Sequence, residues 1–256
     1  MHEPYIERGT GHAIVFSHGT LMDATQFLPQ LEHLENKYRC VSYNSRVLTR
    51  NPSSHGLRDL VKDCHDLLDI VGIERCVLTG MSVGGYMALE FALTYPERLE
   101  GLILIDSMSQ GYTQAEQDAY GQAFAKLAVD GMVPKEFAEW AALYCFGPTT
   151  RACNPDLVKY WVDRWSDTVP ARAVFYQAYS WIWKNDITAR LGEIAVPTLL
   201  VHGEEDLPVP IDRTRTMLNA LPNGTLARIP RAGHTSNLEN PEAVNQAIAS
   251  FLLRVL

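Results

Sequence analysis

The chain has 256 residues, is 46% hydrophobic and 20% charged, and carries a formal net charge of -8. That length suits one large domain with a well-buried core, and the composition is that of a soluble globular protein. The acidic balance, with no basic run longer than two residues, excludes a nucleic-acid surface, which needs clustered Lys and Arg.

Met1 to Thr10 is polar and leads into the first strand candidate, Ala13–Ser17. An apolar run this short is neither a signal peptide nor a membrane span, so a cytoplasmic protein without a membrane partner is expected. Gln26–Glu35 reads as a helix and Arg39–Tyr43 as a strand. Leu57–Val71 reads as a helix with Leu60, Cys64, Leu67, Leu68 and Val71 on one face. Cys76–Thr79 (strand), Val83–Tyr95 (helix) and Leu102–Ile105 (strand) follow. The alternation lapses from about Ser107 to about Val196, a helical stretch holding all five tryptophans, Trp140, Trp161, Trp165, Trp181 and Trp183. It resumes with strand Thr198–Val201, helix Asp212–Ala220, strand Thr225–Ile229 and helix Ala243–Val255.

Continuous apolar strands separated by helices predict βαβ units and strands covered on both faces. The expected class is α/β: a doubly wound, mostly parallel sheet formed by residues 1–106 and 196–256. Residues 107–195 are expected to form a helical cap over the sheet's active edge, with an apolar, aromatic underside. Trp140, Tyr144, Trp161, Trp181 and Trp183 are its candidate substrate contacts. The five cysteines are an odd number with no CxxC and no zinc spacing, so they read as reduced, apolar side chains and no metal site is expected.

Four motifs carry chemistry. Gly80-Met81-Ser82-Val83-Gly84-Gly85 lies between a predicted strand and a predicted helix, the context of a nucleophile elbow. Glycines are needed there because strand and helix approach closely around a strained turn. The Val83 amide, at the helix start, is unpaired and faces developing negative charge. Phe16-Ser17-His18-Gly19-Thr20 ends the first strand, and the Thr20 amide is the best candidate for a second oxyanion donor. The His18 side chain is expected to tie that loop down.

Asp206 follows the strand Thr198–Val201, and His234 follows Gly233 just past Thr225–Ile229. Of eight histidines, only His234 combines a glycine turn, a strand end and the chain order Ser, Asp, His. Glu204 and Glu205 read as surface carboxylates, and Asp106, which also ends a strand, is the rival acid. Arg151, Arg164 and Arg172 of the cap could bind a substrate carboxylate, but pairing with nearby acids is favoured.

Taken in this order over nearly the whole chain, these motifs resemble the α/β-hydrolase superfamily, nearest to small cofactor-free esterases and enol-lactonases. The resemblance implies a Ser82–Asp206–His234 triad, an oxyanion hole of the Thr20 and Val83 amides, a cap from Ser107 to about Val196, and no cofactor. It implies a small-molecule ester or lactone as substrate, cleaved through an acyl-enzyme on Ser82. Carbon–carbon hydrolysis and perhydrolysis use the same triad, and a hormone-receptor-like sensor with a single slow turnover uses the same fold. Serine as the nucleophile disfavours the haloalkane dehalogenase and epoxide hydrolase branches, which carry aspartate. Met81 and Thr235 depart from the Asn and Trp of ring-cleavage hydrolases. The short stretch before His18 leaves little chain for the outermost antiparallel strand of the usual eight, and monomer and homodimer remain equally open.

Overall fold

The structure is a computed structural model and describes residues 4–46 and 52–256. Seven strands are arranged in the order β1-β3-β2-β4-β5-β6-β7: β1 (Tyr5–Arg8), β2 (Ala13–Ser17), β3 (Arg39–Tyr43), β4 (Cys76–Met81), β5 (Leu99–Ile105), β6 (Thr198–Gly203) and β7 (Gly224–Ile229). Only β1 runs antiparallel. This edge strand was not among those expected; it gives the sheet an antiparallel outer strand, and the sheet of the described residues has seven strands rather than the usual eight. Its four residues are half-exposed and carry no apolar run to announce them.

The pleat sends alternate side chains to opposite faces, and each face has its own core. Val15, Val41, Leu78, Leu102 and Leu200 point to one side. Ile14, Cys40, Val77, Ile103 and Leu199 point to the other. The first face is covered by α2 (Leu57–Ile70) and α3 (Val83–Thr94), through Leu60, Cys64, Leu68, Met87 and Phe91. The second is covered by α1 (Leu28–Leu34) and α11 (Pro241–Val255), through Leu31, Leu34, Val244, Ile248 and Phe251. The central strands are buried along their whole length, which is why they read as continuous apolar runs.

Five helices lie between β5 and β6: α4 (Gln114–Ala125), α5 (Lys135–Cys145), α6 (Pro148–Cys153), α7 (Pro155–Thr168) and α8 (Ala171–Ile182). Local chemistry sets their starts. Thr113 and Glu116 bond reciprocally across the first turn of α4, and the Asn154 side chain accepts from the Leu157 amide of α7. Their buried faces join the first core through Phe124, Phe137, Trp161, Trp165 and Trp181. Two short helices complete the chain, α9 (Ile211–Ala220) after β6 and α10 (Ser236–Glu239) before α11. No described helix is long and apolar enough to cross a membrane.

Candidate active site

Every motif singled out in the sequence ends a parallel strand at the same edge of the sheet. His18 follows β2, Ser82 follows β4, Asp106 follows β5, Asp206 follows β6 and His234 follows β7. Ser82 occupies the turn between β4 and α3 at φ +50°, a left-handed conformation costly for a residue with a side chain. Glycines make the turn possible: a Cβ on Gly80 would overlap the Gly84 backbone, and one on Gly84 would overlap Ser17.

His234 Nε2 lies 3.0 Å from Ser82 Oγ. Its Nδ1 lies 2.9 Å from Asp206 Oδ2 and 3.1 Å from Oδ1. A carboxylate can only accept, so Nδ1 carries the proton and Nε2 is left to accept from the Ser82 hydroxyl. The Asp206 side chain is fully buried, and its Oδ1 also accepts from the Val209 amide at 2.9 Å. Burial alone would pull the His234 pKa down, but the adjacent Asp206 carboxylate outweighs it and the net shift is upward.

Asp106 is not the partner of His234. Its Oδ1 accepts from the Gly203 amide at 2.8 Å and its Oδ2 from the Ser236 amide at 2.9 Å. The carboxyl thus ties the strand end leading to Asp206 to the loop carrying His234. It is fully buried, its φ is +48°, and burial together with Asp206 pushes its pKa well up.

Thr20 lines the space over Ser82 and Val83 opens α3 directly after it, and neither amide donates to another protein group among the described residues. The Thr20 loop is braced. His18 Nδ1 donates to the Gly19 carbonyl at 2.8 Å, and His18 Nε2 accepts from the Ser45 amide at 3.0 Å. The Gly19 amide donates to Gln26 Oε1 at 3.0 Å, and Gln26 in turn reaches Asn237 beyond His234. Burial lowers the His18 pKa, so the ring stays neutral and fits this structural use.

Above Ser82 and His234 is a cavity of about 70 Å³. Tyr86 and the Thr20 loop line it from the sheet side, while Tyr112, Tyr120, Phe124, Trp140, Tyr144 and Trp181 close it from above. Of the aromatic candidates, Trp140, Tyr144 and Trp181 line this cavity. Trp161 and Trp183 do not. Trp161 is buried against Trp165 inside the helical layer, and Trp183 is 45% exposed, packed on Tyr179. Spacing along a helix could not separate these fates, because both faces of α7 and α8 carry aromatics.

No Lys or Arg is among the described residues that line the cavity. Arg164 is paired with Asp23 at 2.6 Å and Arg172 with Asp130 at 3.0 Å. Lys184 and Arg213 sit behind the lining, against the rings of Tyr86 and Tyr112, whose hydroxyls are 3.1 Å apart. Burial and the nearby Arg213 pull Lys184 down to about 7.

The helical layer is joined to the loops that carry Asp206 and His234 by polar contacts that no motif announced. Glu205, expected at the surface, accepts from the Thr149 amide at 2.9 Å, whereas Glu204 is indeed exposed and pairs with Arg228. Glu239 accepts from both Gly147 at 2.8 Å and Gly233 at 2.9 Å. Only contacts between distant segments define these roles. Asp106, His202 and Asp206 bring ligand-type atoms within 4.8 Å of one another. Those of Asp106 and Asp206 are committed to the bonds already described, and His202 Nδ1 is 3.0 Å from Thr214 Oγ1. Among the described residues the cysteines are free, and burial pushes Cys145, in the cavity wall, up to about 12.

A profile of the alpha/beta hydrolase fold matches residues 12–241. The chain belongs to the alpha/beta hydrolase fold family. It is 28% identical over 252 residues to a Variovorax paradoxus protein named "Putative carbamate hydrolase RutD", covering 96% of this chain and 93% of that one. It is 26% identical over 242 residues to 3-oxoadipate enol-lactonase 1 of Acinetobacter baylyi, with 94% and 88% covered. Among solved structures it resembles a thermophilic esterase from Thermogutta terrifontis at a TM-score of 0.91 and 27% identity, with 98% and 93% covered. The chain is thus a hydrolase of the alpha/beta fold.

Proposed function

We propose that this hydrolase cleaves small, uncharged carboxylic esters or lactones through an acyl-enzyme on Ser82. The observation that carries the reading is the continuous line from Asp206 through His234 to the strained Ser82 hydroxyl, at 2.9 and 3.0 Å. His234 Nε2 takes the Ser82 proton as Oγ attacks the carbonyl carbon, and returns it to the departing alkoxide oxygen. Asp206 holds the tautomer and stabilises the imidazolium. The Thr20 and Val83 amides receive the oxyanion, each donor contributing about 3 kcal/mol to the barrier reduction. Water, deprotonated by His234, then releases the acid and regenerates Ser82, with no cofactor or metal in the cycle.

Residues 107–195 act as a cap that closes the cavity. Its aromatic lining without Lys or Arg favours neutral acyl and alcohol groups over substrates bearing a carboxylate. The relatives named for ester and lactone chemistry support the same class. Ser82→Ala, tested on p-nitrophenyl butyrate beside a fluorophosphonate probe, is expected to lose turnover by about 10⁴-fold or more and to escape labelling. A folded Ser82→Ala variant that keeps the wild-type rate refutes the acyl-enzyme.

A further inference from the structure

The cavity over Ser82 ends at Trp140, and so does a second hollow on the outer side of the helical layer. The outer hollow is about 490 Å³, against about 70 Å³ inside. It runs between α4 and α5, with Ala119 and Ala123 beside the exposed Gln122 and Lys126 on one bank, and Phe137 and Trp140 beside the exposed Glu136 on the other. This is a seam in the layer, because α4 packs chiefly on α8 and α5 on α7. The partition between the two spaces is thin. It consists of the half-buried Trp140 indole, resting on Phe137 at 5.2 Å and on Tyr144 at 4.9 Å, beside the contact of Phe124 with Phe137 at 5.4 Å.

We propose that Trp140 sets the chain length of the substrate, and that the α4–α5 seam receives the far end of an unbranched aliphatic chain once the indole turns aside. The proposal rests on the reading of Ser82 as an ester-cleaving nucleophile. Continuity makes the occupant part of the substrate rather than a separate partner, since the same indole walls both spaces. The small side chains of Ala119 and Ala123 leave room for methylenes, and the aromatic bank offers them apolar contact in place of water. Short chains fit beneath Trp140 and leave it in place. Longer chains must displace it, so the indole taxes them in proportion to its packing on Phe137 and Tyr144.

The test compares kcat/KM of the wild type, Trp140→Ala and Trp140→Phe on two ester series. One is p-nitrophenyl esters from acetate to decanoate, and the other is acetates of alcohols of matching length. Each methylene newly received by apolar surface is worth about fourfold. Trp140→Ala is therefore expected to raise the octyl-to-butyl ratio at least about tenfold in one series, while Trp140→Phe stays near the wild type. The series that responds identifies the acyl or the alcohol side. A ratio unchanged in both series, with short esters still cleaved, overturns the proposal and leaves the Ser82 reading intact. A wild type inert to every ester overturns both. Where Trp140→Ala fails to fold, Ala123→Trp fills the seam from the other bank. It is expected to lower wild-type turnover of the longest esters about tenfold without touching butyrate, and equal turnover of both lengths rejects the idea.

Discussion

The floor and the roof of the cavity are built on different principles. The floor is a set of strand ends whose side chains are fixed by short directional bonds: Asp206 to His234, Asp106 to two amides, Gln26 to Gly19. The roof is a layer of rings packed edge to face, in which Trp181 Nε1 has no hydrogen-bond partner. Directional bonds define one geometry and fail when an atom is removed, whereas ring packing tolerates exchange and changes what fits. On the proposed reading, reaction chemistry belongs to the floor and selectivity to the roof.

The sharpest way to break this contrast is at the floor. Asp206→Asn is expected to lower kcat by about 10³- to 10⁴-fold while leaving the fold intact. It also removes the negative charge that raises the His234 pKa. Because the base must be neutral to act, activity rises with pH through that pKa. The acidic limb of kcat/KM in the wild type therefore lies above the ordinary imidazole value, and in Asp206→Asn it moves to lower pH.

Asp106→Ala leaves the Gly203 and Ser236 amides buried without an acceptor, costing about 1–3 kcal/mol for each. A lowered Tm accompanied by a fall in kcat larger than the change in KM is expected, since the two loops lose their common tie. An unchanged kcat in a folded variant removes Asp106 from the positioning of the triad.

Between floor and roof stands the Asp23–Arg164 pair, which joins the Thr20 loop to α7. Arg164→Ala strands a nearly buried carboxylate. With Arg164 itself 22% exposed, the loss is set at about 1–3 kcal/mol, below that of a fully buried pair. Burial pushes the Asp23 pKa up, but Thr25 and Arg164 bring it below the ordinary range. A depressed carboxylate stabilises the fold above its unfolded pKa and loses that contribution as pH falls through the folded one. The wild-type advantage over Arg164→Ala in a urea melt should therefore be present at neutral pH and shrink on strong acidification.

The smallest effect belongs to the outer roof. Trp183→Ala is expected to change stability by about 0.5 kcal/mol or less and leave kcat/KM alone, because the ring is 45% exposed and outside the cavity. Trp181→Ala, by contrast, should raise KM for aromatic esters. Equal behaviour of the two variants contradicts the assignment of the roof.

The same division decided what the sequence could reveal. Strands β2 and β3 fall on their apolar runs, and Ser82, Asp206 and His234 stood out because each follows a strand and sits in a turn with glycine or proline. Such signals are local. Strand β5 starts three residues before its expected Leu102, since Glu100 and Gly101 interrupt the apolar run, and β1 gave no run at all. The roles of Asp106, Glu205 and Glu239 depend on backbone amides brought from far along the chain, which no spacing encodes. Trp161 and Trp181 carry the same letter and nearly the same burial, yet one faces α7's neighbours and the other the cavity.

One contact bears on how such enzymes diversify. Gly147, at the turn from α5 into α6, lies so close to Gly233 that a Cβ on either would overlap the other's backbone. Glu239 receives the amides of both. The helical layer is thus riveted to the turn that carries His234, and it is not an interchangeable module. A cap transplanted from a relative must bring its own glycine to this rivet, together with a turn shaped to meet it. Rings between these helices can be exchanged without disturbing this contact, whereas exchanging the helices breaks it.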